Sequence, residues 1–241
     1  MSEQIRAHTA GFEQYYPTHT VEDIVAGSHH ISLNLGDIAM RFAAVERVPR
    51  YTAETRENDA EHSYMLALVA TEIAAEYFPH LDNGLITQFS IVHDLLELET
   101  ESGDVATFGI SDEQLAAKAA AEHAVLDRLL SRLPRKTGLL LQAYEEQDLP
   151  EARFVRLIDK FMPLIVDILG PGSQVMHEDY ATYSLEQLVS TQTKMKNRFE
   201  AMFPEEMMRP LHIARNSLAR QFEDVFVPAR YVQDPFEEFT N

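Results

Sequence analysis

His93 and Asp94 stand side by side in QFSIVHDLLELE, a stretch otherwise rich in apolar residues. Charged groups are seldom buried without a partner. Neighbouring helix residues point about 100° apart, so a nitrogen from one and an oxygen from the other can reach a single ion from one edge. Alone the pair is a weak signal, because His-Asp often arises by chance as a half-exposed histidine beside a surface aspartate. His62 strengthens it. In AEHSYMLALVA it shares a helical face with Met65, Leu66, Val69 and Ile73, at offsets of three, four, seven and eleven. A single inward histidine is more often a hydrogen-bonded core residue than a ligand. Asp159 is the third unusual position, between Ile158 and Phe161 in FVRLIDKFMPLIV. A carboxylate there needs a cation, and Lys160 or Arg156 could supply it as a plain ion pair. Three inward ionisable sites on three separate helices are harder to explain one at a time.

The chain has no cysteine. Disulfides, zinc–thiolate sites, iron–sulfur clusters and a cysteine nucleophile are thereby excluded. Two imidazoles and two carboxylates suit one divalent ion of hard to intermediate character, Mn, Co, Fe, Zn or Mg. Four protein ligands leave a coordination position open for water. Only His123 lies between the His93–Asp94 pair and Asp159.

The elements that must position these groups are helical. Apolar residues recur at three and four, not two, and only 9 glycines occur in 241 residues. The pattern predicts a first helix near 31–46 and a second from Asp59 to the Pro79 break. A third is expected over 85–100, a longer one capped by Ser111 to about 133, and a short one over 137–147. Pro163 should kink or end the helix spanning 151–169. LGPGS (169–173) is a break, and helices near 184–202 and 205–224 follow. The segment 47–58 is polar, contains Pro49 and reads as a loop. The expected fold class is all-α. Residues 1–30 are expected to be an irregular segment, 31–172 a compact helical domain, and 173–241 a C-terminal helical extension packed on it.

The order His62, His93–Asp94, Asp159 resembles the H…HD…D signature of the HD-domain metal-dependent phosphohydrolases. NDAEHSYMLALVA (58–70), HDLLELETESGDV (93–105) and YEEQDLPEARFVRLIDKF (144–161) resemble the small HD 5′-deoxynucleotidases most. The resemblance covers roughly residues 33–170. It implies that His62, His93, Asp94 and Asp159 hold one divalent metal, with Asp94 and Glu97 as the catalytic pair. A glutamate at 97 would assist proton transfer from the attacking water. Arg47 matches an arginine that grips phosphate, with Arg50 and Arg56 as rivals, since a guanidinium fork suits a terminal phosphate. Asp104 matches an aspartate that contacts the nucleotide sugar. Gly103–Asp104 stands two residues further from Glu97 than in that branch. Val48 occupies the place of a tryptophan, a residue this chain lacks. Glu61 is the expected acceptor for the free N–H of His62.

Charge limits the partners. The formal net charge is −19, which repels nucleic-acid backbones. A small phosphorylated substrate is still compatible, because a metal or an arginine can reverse the potential within one pocket. The N-terminus lacks the apolar run of a signal peptide, and no stretch reaches the ~18 apolar residues of a membrane span. A cytoplasmic location without membrane contact is expected, and a symmetric homodimer is the default assembly. The expected activity is release of phosphate from (deoxy)nucleoside 5′-monophosphates. The alternatives are another phosphorylated metabolite, a nucleoside triphosphate, or a non-enzymatic helical module with a structural metal.

Overall fold

A computed structural model describes residues 18–99, 113–114, 117, 125–178 and 184–231. Asp104, Ser111 and His123 lie outside the described residues. The described elements are helices and one small hairpin, so the fold is all-α as expected. The chain divides into two units at Met40/Arg41.

The first unit holds most of α1, Val21–Phe42. This helix begins ten residues before the expected start. Thr20 Oγ1 accepts from the Asp23 N–H at 3.1 Å, and Asp23 Oδ2 accepts from the Thr20 N–H at 3.0 Å. That reciprocal cap satisfies N–H groups the first turn would otherwise leave unpaired.

In the second unit, 47–58 is not a plain loop. β1 (Glu46–Arg50) and β2 (Arg56–Asn58) form an antiparallel hairpin with an irregular register between Glu46 and Arg50. Two short strands carrying Pro49 leave too little alternation to be read from sequence. β2 runs directly into α2, Asp59–Tyr77. Asn58 and Glu61 form a capping box at this junction. Along α2, His62, Leu66, Ala70 and Ala74 are buried at intervals of four, and the small alanines let α3 (Asn83–Val92) pack closely.

The expected third helix stops early. Its α-helical part ends at Val92, His93 and Asp94 form a turn, and Leu95–Glu99 is a 3-10 helix. In a continuing α-helix the Ser90 carbonyl would accept from the Asp94 N–H. Here His93 Nδ1 donates to Ser90 O at 3.0 Å, and the next turn closes as Glu97 N–H to Asp94 O at 2.9 Å.

Residues 125–130 are helical, followed by α4 (Arg135–Glu146) and α5 (Pro150–Asp159). α5 ends at Asp159 for a definite reason. Pro163 has no N–H to offer the Asp159 carbonyl, and its ring would strike that carbonyl in a continuous helix. The chain restarts as α6 (Met162–Leu169), then α7 (Gly172–Glu178), α8 (Leu185–Met202) and α9 (Arg209–Tyr231). A Cβ on Gly170 would lie 2.6 Å from Arg50 O, so glycine there lets the end of α6 meet the hairpin.

The largest hydrophobic cluster among the described residues joins α2–α6 with α8 and α9. Leu66, Ile86, Phe89, Phe154, Leu157 and Ile158 are fully buried in it, with Phe199, Phe203 and Met208 from the C-terminal region. Each such side chain contributes roughly 1.5–3 kcal/mol by leaving water. The C-terminal helices therefore share the core that carries the α2, α3 and α5 residues.

Candidate metal centre

His62 arrives on the first turn of α2, His93 and Asp94 on the turn after α3, and Asp159 on the last residue of α5. The three backbones bring them together. One ligand atom each from His62, His93 and Asp94 lies within 4.8 Å of the others. His62 Nε2 is 2.9 Å from Asp159 Oδ1 and 3.9 Å from Asp94 Oδ2. His93 Nε2 is 3.0 Å from Asp94 Oδ2 and 3.7 Å from Asp159 Oδ1. The rings stand 5.2 Å apart. Ligand atoms about 2.1 Å from one ion are separated by roughly 3.0–3.4 Å at octahedral or tetrahedral angles. The His93–Asp94 and His62–Asp159 spacings match that, and the other two are wider. His62, His93 and Asp94 are the three close enough together to share an ion, with Asp159 against both imidazoles. His93 makes the case chemically too. Its Nδ1 is committed to Ser90 O, which leaves the buried Nε2 facing the Asp94 and Asp159 carboxylates.

Electrostatics points the same way. Burial opposes protonation of His93, but the Asp94 and Asp159 carboxylates outweigh it and push the ring up to about 10. For His62, burial and Arg47 oppose the charge, and Asp159 and Glu57 overcome them, so its pKa is raised. Burial would raise Asp159, yet Lys160 and the two imidazoles hold it well below the usual carboxylate range. The Lys160 ion pair weighed from sequence is real, with Nζ 2.5 Å from Asp159 Oδ2, and it coexists with the imidazole contacts. The carboxylates thus favour positive charge at both imidazoles, the kind of charge a cation would supply.

The wall of the site comes from the hairpin. Arg47 Nε meets Glu57 Oε2 at 3.2 Å, and its Nη1 meets Asp59 Oδ1 at 2.9 Å and Asp94 Oδ2 at 3.1 Å. The arginine expected to grip phosphate therefore also braces Asp94. Arg50 is not gathered here: it bonds Ala53 O and pairs with Glu178 of α7 at 2.9 Å. Arg56 donates to Val48 O. Glu97 is buried on the 3-10 helix, three residues beyond Asp94.

The expectation for Glu61 is corrected. It is exposed and occupied by the α2 cap, accepting the Asn58 N–H at 3.2 Å. Fully buried Glu57 faces His62 instead, its Oε2 3.6 Å from Nδ1, and accepts from Tyr51 O–H at 3.3 Å. Sequence reading missed Glu57 because only the hairpin pairing brings it behind His62. Tyr144 was missed too. It is buried edge-on to His93 at 6.1 Å, with Arg156 4.9 Å above its ring. Behind the wall, Asp167 of α6 is buried with Oδ1 lacking a hydrogen bond. Burial first, then Glu57, pushes it up to about 7.

The sequence matches the HD domain family over residues 41–203. With about two thirds of its length in that match, the chain belongs to the HD domain family. The match continues past residue 172 into α8. Among solved structures, a predicted metal-dependent phosphohydrolase from Magnetospirillum magnetotacticum MS-1 is similar, with a TM-score of 0.60 and 21% identity over 85% of this chain and 96% of that one. The PH0347 protein from Pyrococcus horikoshii OT3 gives a TM-score of 0.49 with 23% identity over 77% and 98%. The likeness to the Magnetospirillum protein is one of fold. No curated protein matches the chain. No helix among the described residues is long and apolar enough to cross a membrane.

Proposed function

We propose that this chain is a metal-dependent phosphohydrolase that releases phosphate from nucleoside 5′-monophosphates, the deoxy series foremost. The observation that carries the reading is the convergence of His62, His93 and Asp94, closed by Asp159, in an HD domain. The Magnetospirillum protein, described as a predicted metal-dependent phosphohydrolase, is in keeping with it. His62, His93, Asp94 and Asp159 would hold one divalent ion. Such an ion supplies Lewis acidity toward a phosphoryl oxygen and lowers the pKa of a water. Arg47 keeps Asp94 oriented and lends positive charge where phosphate arrives. Glu97, three residues past Asp94, accepts the proton of the attacking water. Asp104 is the proposed sugar contact.

The test is phosphate release from dAMP, dGMP, dCMP, dTMP and dUMP, and from a deoxynucleoside triphosphate, with Mn²⁺ or Co²⁺ added. Release from the monophosphates that Asp94→Ala abolishes is expected. Phosphate from none of them, by a protein that binds metal, refutes the nucleotidase reading. Activity and metal both retained in Asp94→Ala refutes the site.

A further inference from the structure

Three arginines converge on one carboxylate beyond the 3-10 helix. Glu99 Oε1 is 3.3 Å from Arg41 Nη2 and 2.6 Å from Arg132 Nη1, and Oε2 is 3.3 Å from Arg128 Nε. The Glu99 carboxylate is 9% exposed, while the arginines are 40–57% exposed. In a chain of net charge −19 with 20 Lys and Arg in total, such a concentration of guanidinium is unusual. Arg41 and Arg128 meet no other carboxylate among the described residues. Their remaining contacts are backbone, Arg41 to Leu98 O and Arg128 to Glu99 O. The stoichiometry is mismatched as well. A carboxylate has two oxygens for three guanidinium forks, so Oε1 is shared. A terminal phosphate has three oxygens and would give each fork its own.

We propose that Arg41, Arg128 and Arg132 form a phosphate-binding subsite in which Glu99 is the internal stand-in that an incoming phosphate displaces. Glu99 lies two residues past Glu97 on the same 3-10 helix, roughly 4 Å along its axis. The subsite therefore adjoins the proposed catalytic segment without using the four metal-centre residues. The phosphate belongs either to a second phosphoryl group of the substrate or to a free anionic effector. The substrate arm rests on the phosphohydrolase reading, whereas binding itself does not.

Isothermal titration of the full chain with inorganic pyrophosphate tests the subsite. Arg41→Gln/Arg128→Gln should weaken binding at least tenfold. Glu99→Gln, which removes the competing charge, should tighten it several-fold. Asp94→Ala should leave it in place. If Glu99→Gln does not fold, Arg128→Gln alone carries the comparison. Absence of binding to the parent chain at millimolar pyrophosphate overturns the proposal. So does binding that survives in Arg41→Gln/Arg128→Gln and vanishes in Asp94→Ala. Two outcomes identify the source. In the double variant, kcat/KM that falls for a bisphosphorylated ester but not for p-nitrophenyl phosphate marks a substrate subsite. Lost pyrophosphate binding with both kcat/KM values unchanged marks an effector site.

Discussion

Asp167→Asn should make the protein progressively more stable than its parent as pH rises. Asp167 is buried on α6 with one carboxylate oxygen unpaired, and burial together with Glu57 holds it up to about 7. An unfolded aspartate titrates near ~3.9. Between those two values the native chain keeps a proton that the unfolded chain has lost, so rising pH erodes native stability. The separation is about three pKa units, and at ~1.4 kcal/mol each the full cost reaches about 4 kcal/mol above pH 7. Asparagine is nearly the same shape and carries no such cost. The quantity to measure is the stability difference between variant and parent, by urea or thermal unfolding from pH 4.5 to 8. Every other titrating group is common to both and cancels. The gap should widen steadily with pH and then level off above 7. At roughly 2–4 °C per kcal/mol for a chain of this size, the change is easily resolved. A gap independent of pH, or one that narrows as pH rises, would refute the burial argument.

Glu57→Gln should weaken divalent-metal affinity by roughly 10–100-fold, the usual effect of losing a carboxylate behind a ligating histidine. A competition titration against a chromophoric chelator reads this without any turnover, and unchanged affinity would remove Glu57 from the site. Leu66→Ala, at a fully buried position next along the buried stripe from His62, should cost about 2–5 kcal/mol. Chemical denaturation measures it, and a loss under 1 kcal/mol would contradict the packing described for α2 and α3.

The four residues of the His/Asp cluster were the most readable part of the sequence. An ionisable group on an apolar, periodic face is conspicuous wherever the helix is long, and His62 and Asp159 both sit on such faces. The end of α3 was not readable. LLELE keeps the three-and-four spacing of a helix, and only the His93 contact to Ser90 shows that the α-helical ladder stops. Pro163 was a usable signal because its steric effect is local, and it places Asp159 at the end of α5. Glu57 and the Glu99 arginines were invisible for the opposite reason. The arginines around Glu99 lie up to 58 residues from it in sequence and meet it only through packing, while Glu57 is near its partners in sequence but meets Arg47 only through the hairpin. The start of α1 was missed although its cap is written plainly as Thr20-x-x-Asp23.

The early end of α3 and the Pro163 break do more than place side chains. Each stops a ten-residue helix at the centre, so two helix C-termini lie there. Each helix end carries the equivalent of about half a negative charge, added to the Asp94 and Asp159 carboxylates. Such a field attracts a cation and repels phosphate. On the proposed reading, loading is therefore ordered: the ion enters first, and only then does the site become hospitable to an anion. Affinity for a phosphorylated ligand at this centre should depend steeply on how much of the protein already carries metal.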